Sequence, residues 1–363
     1  MNERKLNAQR VGVAAFADYP DRIDVRSPAE FAIDHIPNAT NHPVLDNEER
    51  SRVGTLYASS PFAARRIGAA VVARNIARTL ETAFADKPRE WTPLVYCWRG
   101  GQRSRALVHV LNEIGWHAKQ LDGGYRAYRR HVVTLLAALP VRYDFVVISG
   151  LTGSGKSRLL AAFGAGGAQT LDLEALARHR GSLLGDLPDA PQPSQKWFES
   201  RLCAALEGFQ PERPVFVESE SRRIGVLQLP DALLEGMHRG RRLLLVTALA
   251  QRVELLKHDY GHFVADATRF RERLAPLSPL HGKATLSRWE ALASAGDWDA
   301  LVTELLEQHY DPTYARSLGR YPAVDQPPLR VDVCDVSDDG FAALARQLLI
   351  DLEARDPLTA STP

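Results

Sequence analysis

The chain has 363 residues, 45% hydrophobic and 25% charged, and its 45 basic side chains nearly balance 44 acidic ones. At roughly 100–200 residues per domain this length points to two domains, and a net charge of +1 gives no bulk electrostatic sign of a nucleic-acid binder. Apolar runs fall short of the roughly 20 residues that cross a membrane, MNERKLNAQR lacks the apolar core of a secretory signal, and Cys97, Cys203 and Cys334 make no even-numbered framework, so a cytoplasmic, disulfide-free, non-membrane protein is expected.

The first third alternates strand-like and helical runs. Ile23-Asp24-Val25 reads as a short buried strand, and Ser27 can cap the next helix through Glu30. Apolar residues at helical spacing (Ile67, Val71, Ile76, Leu80) predict a helix within 61–85. Pro93–Tyr96 is a strand, a glycine-rich loop follows, and a helix begins near Ser104. His117–Leu121 is the last candidate strand, closed by Asp122-Gly123-Gly124. Such alternation implies an α/β domain with a mainly parallel sheet. A basic-then-apolar helix over 126–140 ends at Pro140, which places the domains at 1–138 and 141–363.

The second domain opens with the strand Tyr143–Ile148. Further strands are expected at 170–172, 215–217, 242–246 and 329–333. GDLPDAPQPSQ (185–195) reads as a mobile surface loop, and the last ten residues as a frayed tail. Only seven of the 45 basic residues are lysine. The basic groups Arg126-Arg129-Arg130-His131, Arg222-Arg223 and His238-Arg239-Arg241-Arg242 suit either a phosphate track or solvated faces.

Two loops carry chemistry. Gly150-Leu151-Thr152-Gly153-Ser154-Gly155-Lys156-Ser157 matches G-x-x-x-x-G-K-[ST] between an apolar strand and a helix. Backbone N–H groups there cradle anionic oxygens, Lys156 reaches the outer phosphates and the Ser157 hydroxyl suits Mg²⁺. Glu218 or Glu220 at the end of another strand, with Asp172 as rival, is the candidate acidic partner. Earlier in the chain, Cys97 leads Trp98-Arg99-Gly100-Gly101-Gln102-Arg103-Ser104. A thiol between a buried strand and a helix N-terminus, beside Arg99 and Arg103, sits in a field that favours thiolate. Cys203 and Cys334 read as inert core. The C-x5-R spacing fits cysteine phosphatases as well as sulfur or selenium carriers. A phosphatase would also need a general acid, and Asp24, Asp34 and Asp122 are available.

Asp24-Val25-Arg26-Ser27-Pro28-Ala29-Glu30-Phe31, Asp34-His35-Ile36-Pro37-Asn38-Ala39 and Asp122-Gly123-Gly124-Tyr125 closely resemble the rhodanese pattern over 15–130. The Cys97–Ser104 loop is about a residue longer than in ordinary sulfurtransferases, which suits a bulkier, phosphate-bearing ligand. A rhodanese domain joined to a P-loop domain resembles the tRNA 2-selenouridine synthase family. So do Asp172-Leu173-Glu174, His179-Arg180-Gly181-Ser182, Glu218-Ser219-Glu220-Ser221-Arg222 and His309-Tyr310-Asp311-Pro312 with Tyr314.

The resemblance implies an N-terminal rhodanese-like domain, a P-loop NTPase-like parallel-sheet domain, and two steps on tRNA with wobble 2-thiouridine. The sulfur is S-geranylated from geranyl diphosphate at the P-loop, and selenophosphate then replaces the geranylthio group at Cys97. No tightly bound cofactor is implied. An enzyme supplying selenophosphate is the expected partner, and Mg²⁺ has a place at Ser157. His179 and Arg180 stand between phosphate contacts and helix-end capping, with Arg222 grouped beside them. Asp24 with Arg26, and His35, read as structural. His309 and Asp311 remain open between structure and catalysis. A sulfurtransferase coupled to an ATP-using P-loop, a C-x5-R phosphatase and a non-catalytic binding module are the alternatives.

Overall fold

The computed structural model describes residues 9–182, 184–188, 190–261, 263, 267–318 and 327–355. The expected tail beyond 355 and the first eight residues lie outside them. The chain divides into two compact units, Met1–Leu136 with Pro193–Ala204, and Ala137–Gln192 with Ala205–Pro363. Residues 193–204, read from the sequence as second-domain, group with the first unit. There Trp197 stacks on His35 at 4.0 Å between ring centroids.

The first unit holds the strands β1 (Arg10–Val11), β2 (Arg22–Asp24), β3 (Ala39–Asn41), β4 (Leu94–Tyr96) and β5 (Lys119–Leu121). They form one five-stranded sheet in the order β1-β5-β4-β2-β3, and every pairing is parallel. Its helices are α1 (Pro28–Ile33), α2 (Asn47–Ser59), α3 (Pro61–Glu81), α4 (Gln102–Ile114) and α5 (Gly124–Ala138). Ser27 caps α1 through the expected box with Glu30. Ile23, Val95, Leu107, Val108 and Leu111 form the core between sheet and helices. β1 and β3 carried no sequence signal, being two and three residues long without an apolar run.

The second unit contains β6 (Phe145–Gly150), α6 (Lys156–Ala165), β7 (Gln169–Leu171), α7 (Leu173–Ala177), the end of α8 (Gln195–Glu207), β8 (Val215–Glu218), a two-stranded ribbon β9 (Arg223–Ile224) and β10 (Leu227–Gln228), α9 (Asp231–Arg239), and β11 (Arg241–Thr247). β12 (Leu329–Val333) completes a five-stranded parallel sheet, β12-β11-β6-β8-β7. Ile148, Leu159, Phe163, Phe216, Leu245 and Phe341 pack its core. In sequence order β6 is flanked by later strands on both sides, so its C-terminal end is the topological switch point where open α/β sheets bind ligands. A separate apolar cluster, centred on Trp289, Leu274 and Leu301, holds the helices after β11.

Cys203 is buried as expected, but Cys334 is exposed. It lies one residue past the buried Val333, where the strand has ended. Among the described residues no helix is long and apolar enough to cross a membrane.

Candidate functional site

In the first unit, β4 delivers Cys97 to a loop whose other side is the start of α4. The thiol is 3% exposed. Its Sγ accepts the Gly101 N–H at 3.2 Å and the Ser104 hydroxyl at 3.2 Å. Gly100 has φ +62°, and a Cβ there would fall 2.8 Å from the Leu121 carbonyl oxygen, so only glycine closes this turn. The N-terminus of α5 also docks on the loop, as Tyr125 and Arg126 donate N–H to the carbonyls of Cys97 and Trp98 at 2.8 and 3.1 Å. Two helix starts thus converge on the cradle, each with its positive end toward it.

Gln120, which sequence reasoning passed over, is buried within β5, and its amide reaches Gly100 O, Gly101 O and Ser104 Oγ at 2.9, 3.1 and 2.8 Å. A polar side chain at a buried strand position is the signal that would have found it. Arg103 sits differently from the sequence expectation. Its guanidinium is held by the Glu30 carboxylate at 2.8 Å. Burial pushes the Glu30 carboxyl up, but Arg103, the Ser27 amide and Arg50 outweigh it and hold the group below its ordinary value. Arg99, Gly101 and Gln102 are exposed at the mouth, and Trp98 lies against Tyr125 at 5.2 Å.

The three aspartates open to a phosphatase role are occupied elsewhere. Asp24 grips the buried Arg26 at 2.6 Å, which makes the pair structural as read. Asp34 accepts the Tyr125 hydroxyl at 2.7 Å, and Asp122 pairs with Arg10 at 3.4 Å. His35 is stacked between Phe31 and Trp197.

In the second unit the loop Gly150–Ser157 leaves the switch-point strand β6 and enters α6. Gly155 has φ +88°, and a Cβ would collide with the Phe341 ring at 2.3 Å. Lys156 folds back to donate to the Gly150 and Leu151 carbonyls at 3.0 and 3.3 Å. Burial pushes its ammonium below the ordinary lysine value, although the carboxylates of Glu220, Glu174 and Glu218 pull the other way. The Ser157 hydroxyl donates to Glu174 at 3.0 Å. Ser154 has a buried hydroxyl, and its carbonyl accepts the Thr247 hydroxyl at 2.9 Å.

The acidic side of this loop is richer than the sequence suggested. Glu218 is wholly buried. Its Oε2 accepts the Leu173 N–H at 3.4 Å, and its Oε1 has no partner. Burial, with Asp172, Glu174 and Glu220 near, drives its carboxyl well above the ordinary value. Burial and the Glu174 charge likewise push Glu220 up to about 8, against the pull of Lys156. Glu174, also raised by burial, enters the sequence reading only within the Asp172-Leu173-Glu174 resemblance and not as an acidic partner of the loop. Asp172 itself is exposed and caps α7 through the Ala175 N–H at 2.7 Å.

His179 is buried and pairs with Asp186 at 3.3 Å, while Arg180 donates to the Asp259 carbonyl and lies over the Tyr260 ring at 4.8 Å. Both hold the loop after α7. Gly181 of that loop, with φ +65°, lies so close that a Cβ would sit 2.8 Å from the Glu220 carboxylate. Arg222 is on the surface, paired with Asp231 at 2.7 Å.

The segment after β11 steadies the loop from outside. Here α10 (Leu249–Asp259), α11 (Ala267–Leu274), α12 (Ser278–Ala295), α13 (Trp298–Leu305) and α14 (Asp311–Leu318) follow in order. Arg252 of α10 donates to the Thr152 carbonyl at 2.8 Å and grips Asp311. The Tyr314 hydroxyl accepts the Gly150 N–H at 3.0 Å. Asp311 and Tyr314 are therefore supports of the phosphate loop. Beside Thr152 opens a small apolar pocket of about 50 Å³, lined by Leu256, Tyr260, Phe263, Phe270, Trp298 and Leu305. An anion cradle bordered by an apolar pocket suits a ligand with a phosphate head and a hydrocarbon body.

Residues 15–131 match the rhodanese-like domain family, and residues 143–274 match the family described as tRNA 2-selenouridine synthase AAA domain. The chain is similar to the tRNA 2-selenouridine synthase of Nitrosomonas europaea, with 35% identity over 72% of this chain and 69% of that one. It is also similar to those of Cupriavidus pinatubonensis, at 33% identity, and Verminephrobacter eiseniae, at 35%. Both of these matches cover 81% of this chain and 87% of the relative.

Proposed function

Because this chain belongs to the tRNA 2-selenouridine synthase family, we propose that it is a tRNA-modifying enzyme acting on the wobble uridine. In this reading 2-thiouridine passes through an S-geranyl intermediate to 2-selenouridine, with geranyl diphosphate and selenophosphate as co-substrates. The observation that carries the reading is the apolar pocket opening at Thr152, on the phosphate loop itself. An apolar pocket beside an anion cradle supports a prenyl diphosphate, whose body is hydrocarbon and whose head is anionic.

The first step alkylates the thiocarbonyl sulfur. Sulfur bonds to C1 of the prenyl chain, the C1–O bond breaks, and diphosphate departs with the electron pair. Loop N–H groups and Lys156 stabilise the departing charge, which grows as the bond breaks. The N3 proton of the base must leave for the product to be neutral. Glu220, with its carboxyl near 8, is suited to exchange a proton at neutral pH.

Mg²⁺ takes one or two carboxylates together with phosphate oxygens and water. Ser157 and Glu174, already bonded to each other, are the residues that fit such an ion. When bound it would offset diphosphate charge.

The second step belongs to the Cys97 cradle. Selenium of selenophosphate bonds to C2 of the base, the C2–S bond breaks, and the geranylthiolate leaves. Water then cleaves the Se–P bond, giving phosphate and the selenocarbonyl. The positive ends of the two helices that start at the Cys97 loop are suited to attract the phosphate part of the donor. The enzyme supplying selenophosphate is its natural partner, and the cytoplasm, where tRNA resides, its compartment.

The test is direct. The protein is incubated with 2-thiouridine tRNA, geranyl diphosphate and selenophosphate, and the nucleosides are resolved by mass spectrometry. Geranylated and selenated nucleosides are expected. The absence of both refutes the reading.

A further inference from the structure

A second apolar cavity lies in the first unit, between α2, α3 and the first turns of α4. Its volume is about 210 Å³. Its apolar lining includes the buried Leu45, the half-buried Val53, Val72 and Ala106, and the exposed Ala69 of α3. Its polar members stand at the rim. Gln102 and Arg103 belong to the Cys97 loop, and Arg65 donates to the Tyr57 hydroxyl at 3.3 Å. The next residue along α4, Ser104, touches the Cys97 sulfur. The cavity therefore begins within one helical turn of the thiol.

We infer that this cavity receives the prenyl chain of the S-alkylated nucleoside while its sulfur is exchanged for selenium. The inference rests on the function proposed above. The exchange requires an alkylated base to approach Cys97 and a geranylthiolate to leave. Hydrocarbon carried that far has to be buried or left in water, and burial is favoured. A sulfurtransferase that handles only a lone sulfur atom has no use for such a space. The distribution of charge fits as well. Apolar side chains lie below, while Arg65 and the Glu30-bound Arg103 stand at the rim, where RNA phosphates would run. Each of the two reacting loops thus has its own apolar pocket.

Chain-length preference tests this. RNA carrying S-geranyl-2-thiouridine or S-methyl-2-thiouridine is offered with selenophosphate to the full chain, to Ala69→Trp and to Val72→Phe. The wild-type protein should prefer the geranyl substrate. Filling the cavity should reduce the geranyl-to-methyl ratio of kcat/KM by about tenfold or more, the scale of removing hydrocarbon contacts from a specificity pocket. An unchanged ratio in both variants, with folding verified by thermal unfolding, overturns the assignment. Failure of the wild-type protein to convert either substrate instead overturns the function on which it rests.

Discussion

Arg252 grips Asp311 through two guanidinium nitrogens, at 2.6 and 3.0 Å, while its Nε holds the Thr152 carbonyl of the phosphate loop at 2.8 Å. One buried cation thus ties α14 to the loop. Asp311→Ala would strand that guanidinium, which is 4% exposed. Breaking a buried pair costs about 3–5 kcal/mol. Because Asp311 is itself partly exposed, the expected loss is nearer ~2 kcal/mol, read from urea unfolding. Pyrophosphate affinity should fall too, and an unaffected affinity would deny the pair its positioning role.

Cys97→Ser should abolish selenation and leave geranylation in place, since the two loops lie in separate compact units. Nucleoside mass spectrometry after each half-reaction reads this. Equal loss of both products would mean that the division of labour is wrong. Gln120→Leu should also weaken selenation, because the carbonyls of Gly100 and Gly101 would lose their donor.

Lys156→Ala should slow geranyl transfer by about 100-fold, the usual scale for removing one donor to a developing negative charge. Selenation of RNA already carrying S-geranyl-2-thiouridine should continue. A variant with undiminished prenyl transfer would remove the P-loop from the first step.

The raised Glu220 carboxyl predicts a pH dependence of stability. Unfolded, this group ionises near 4.5; folded, near 8. Between those values the folded state keeps a proton that the unfolded state has lost. Stability therefore falls as pH rises through that window, and this group adds no further change above it. Glu220→Gln should flatten the slope of the urea midpoint against pH. Pyrophosphate should also bind more weakly above pH 8, where ionised Glu220 repels it.

Both reactive loops were legible before any coordinates. In each, the spacing of glycines between an apolar strand and a helix start dictates where backbone N–H groups point. The same holds for the α1 cap, made by residues three apart. The strands of both sheets were readable from their apolar runs, except where two or three half-exposed residues carried too little pattern. What stayed hidden depended on distant partners. Arg103 read as an anion ligand, yet its guanidinium is held by Glu30, 73 residues away. Asp311 remained ambiguous because Arg252, 59 residues away, gives it its role. Cys334 read as core because its run was apolar enough for a strand, while exposure depends on what is packed above it.

By itself the sequence determined that this protein has two anion cradles, one with a thiol and one with a lysine. Local backbone geometry and contiguous residues are enough to build such loops. Only the tertiary structure decided which charges neutralise one another, how far burial pushes Glu218 and Glu220 from ordinary behaviour, and that an apolar pocket borders each cradle. Desolvation and enclosed space belong to no single stretch of chain. They exist once helices distant in sequence have closed around the loop.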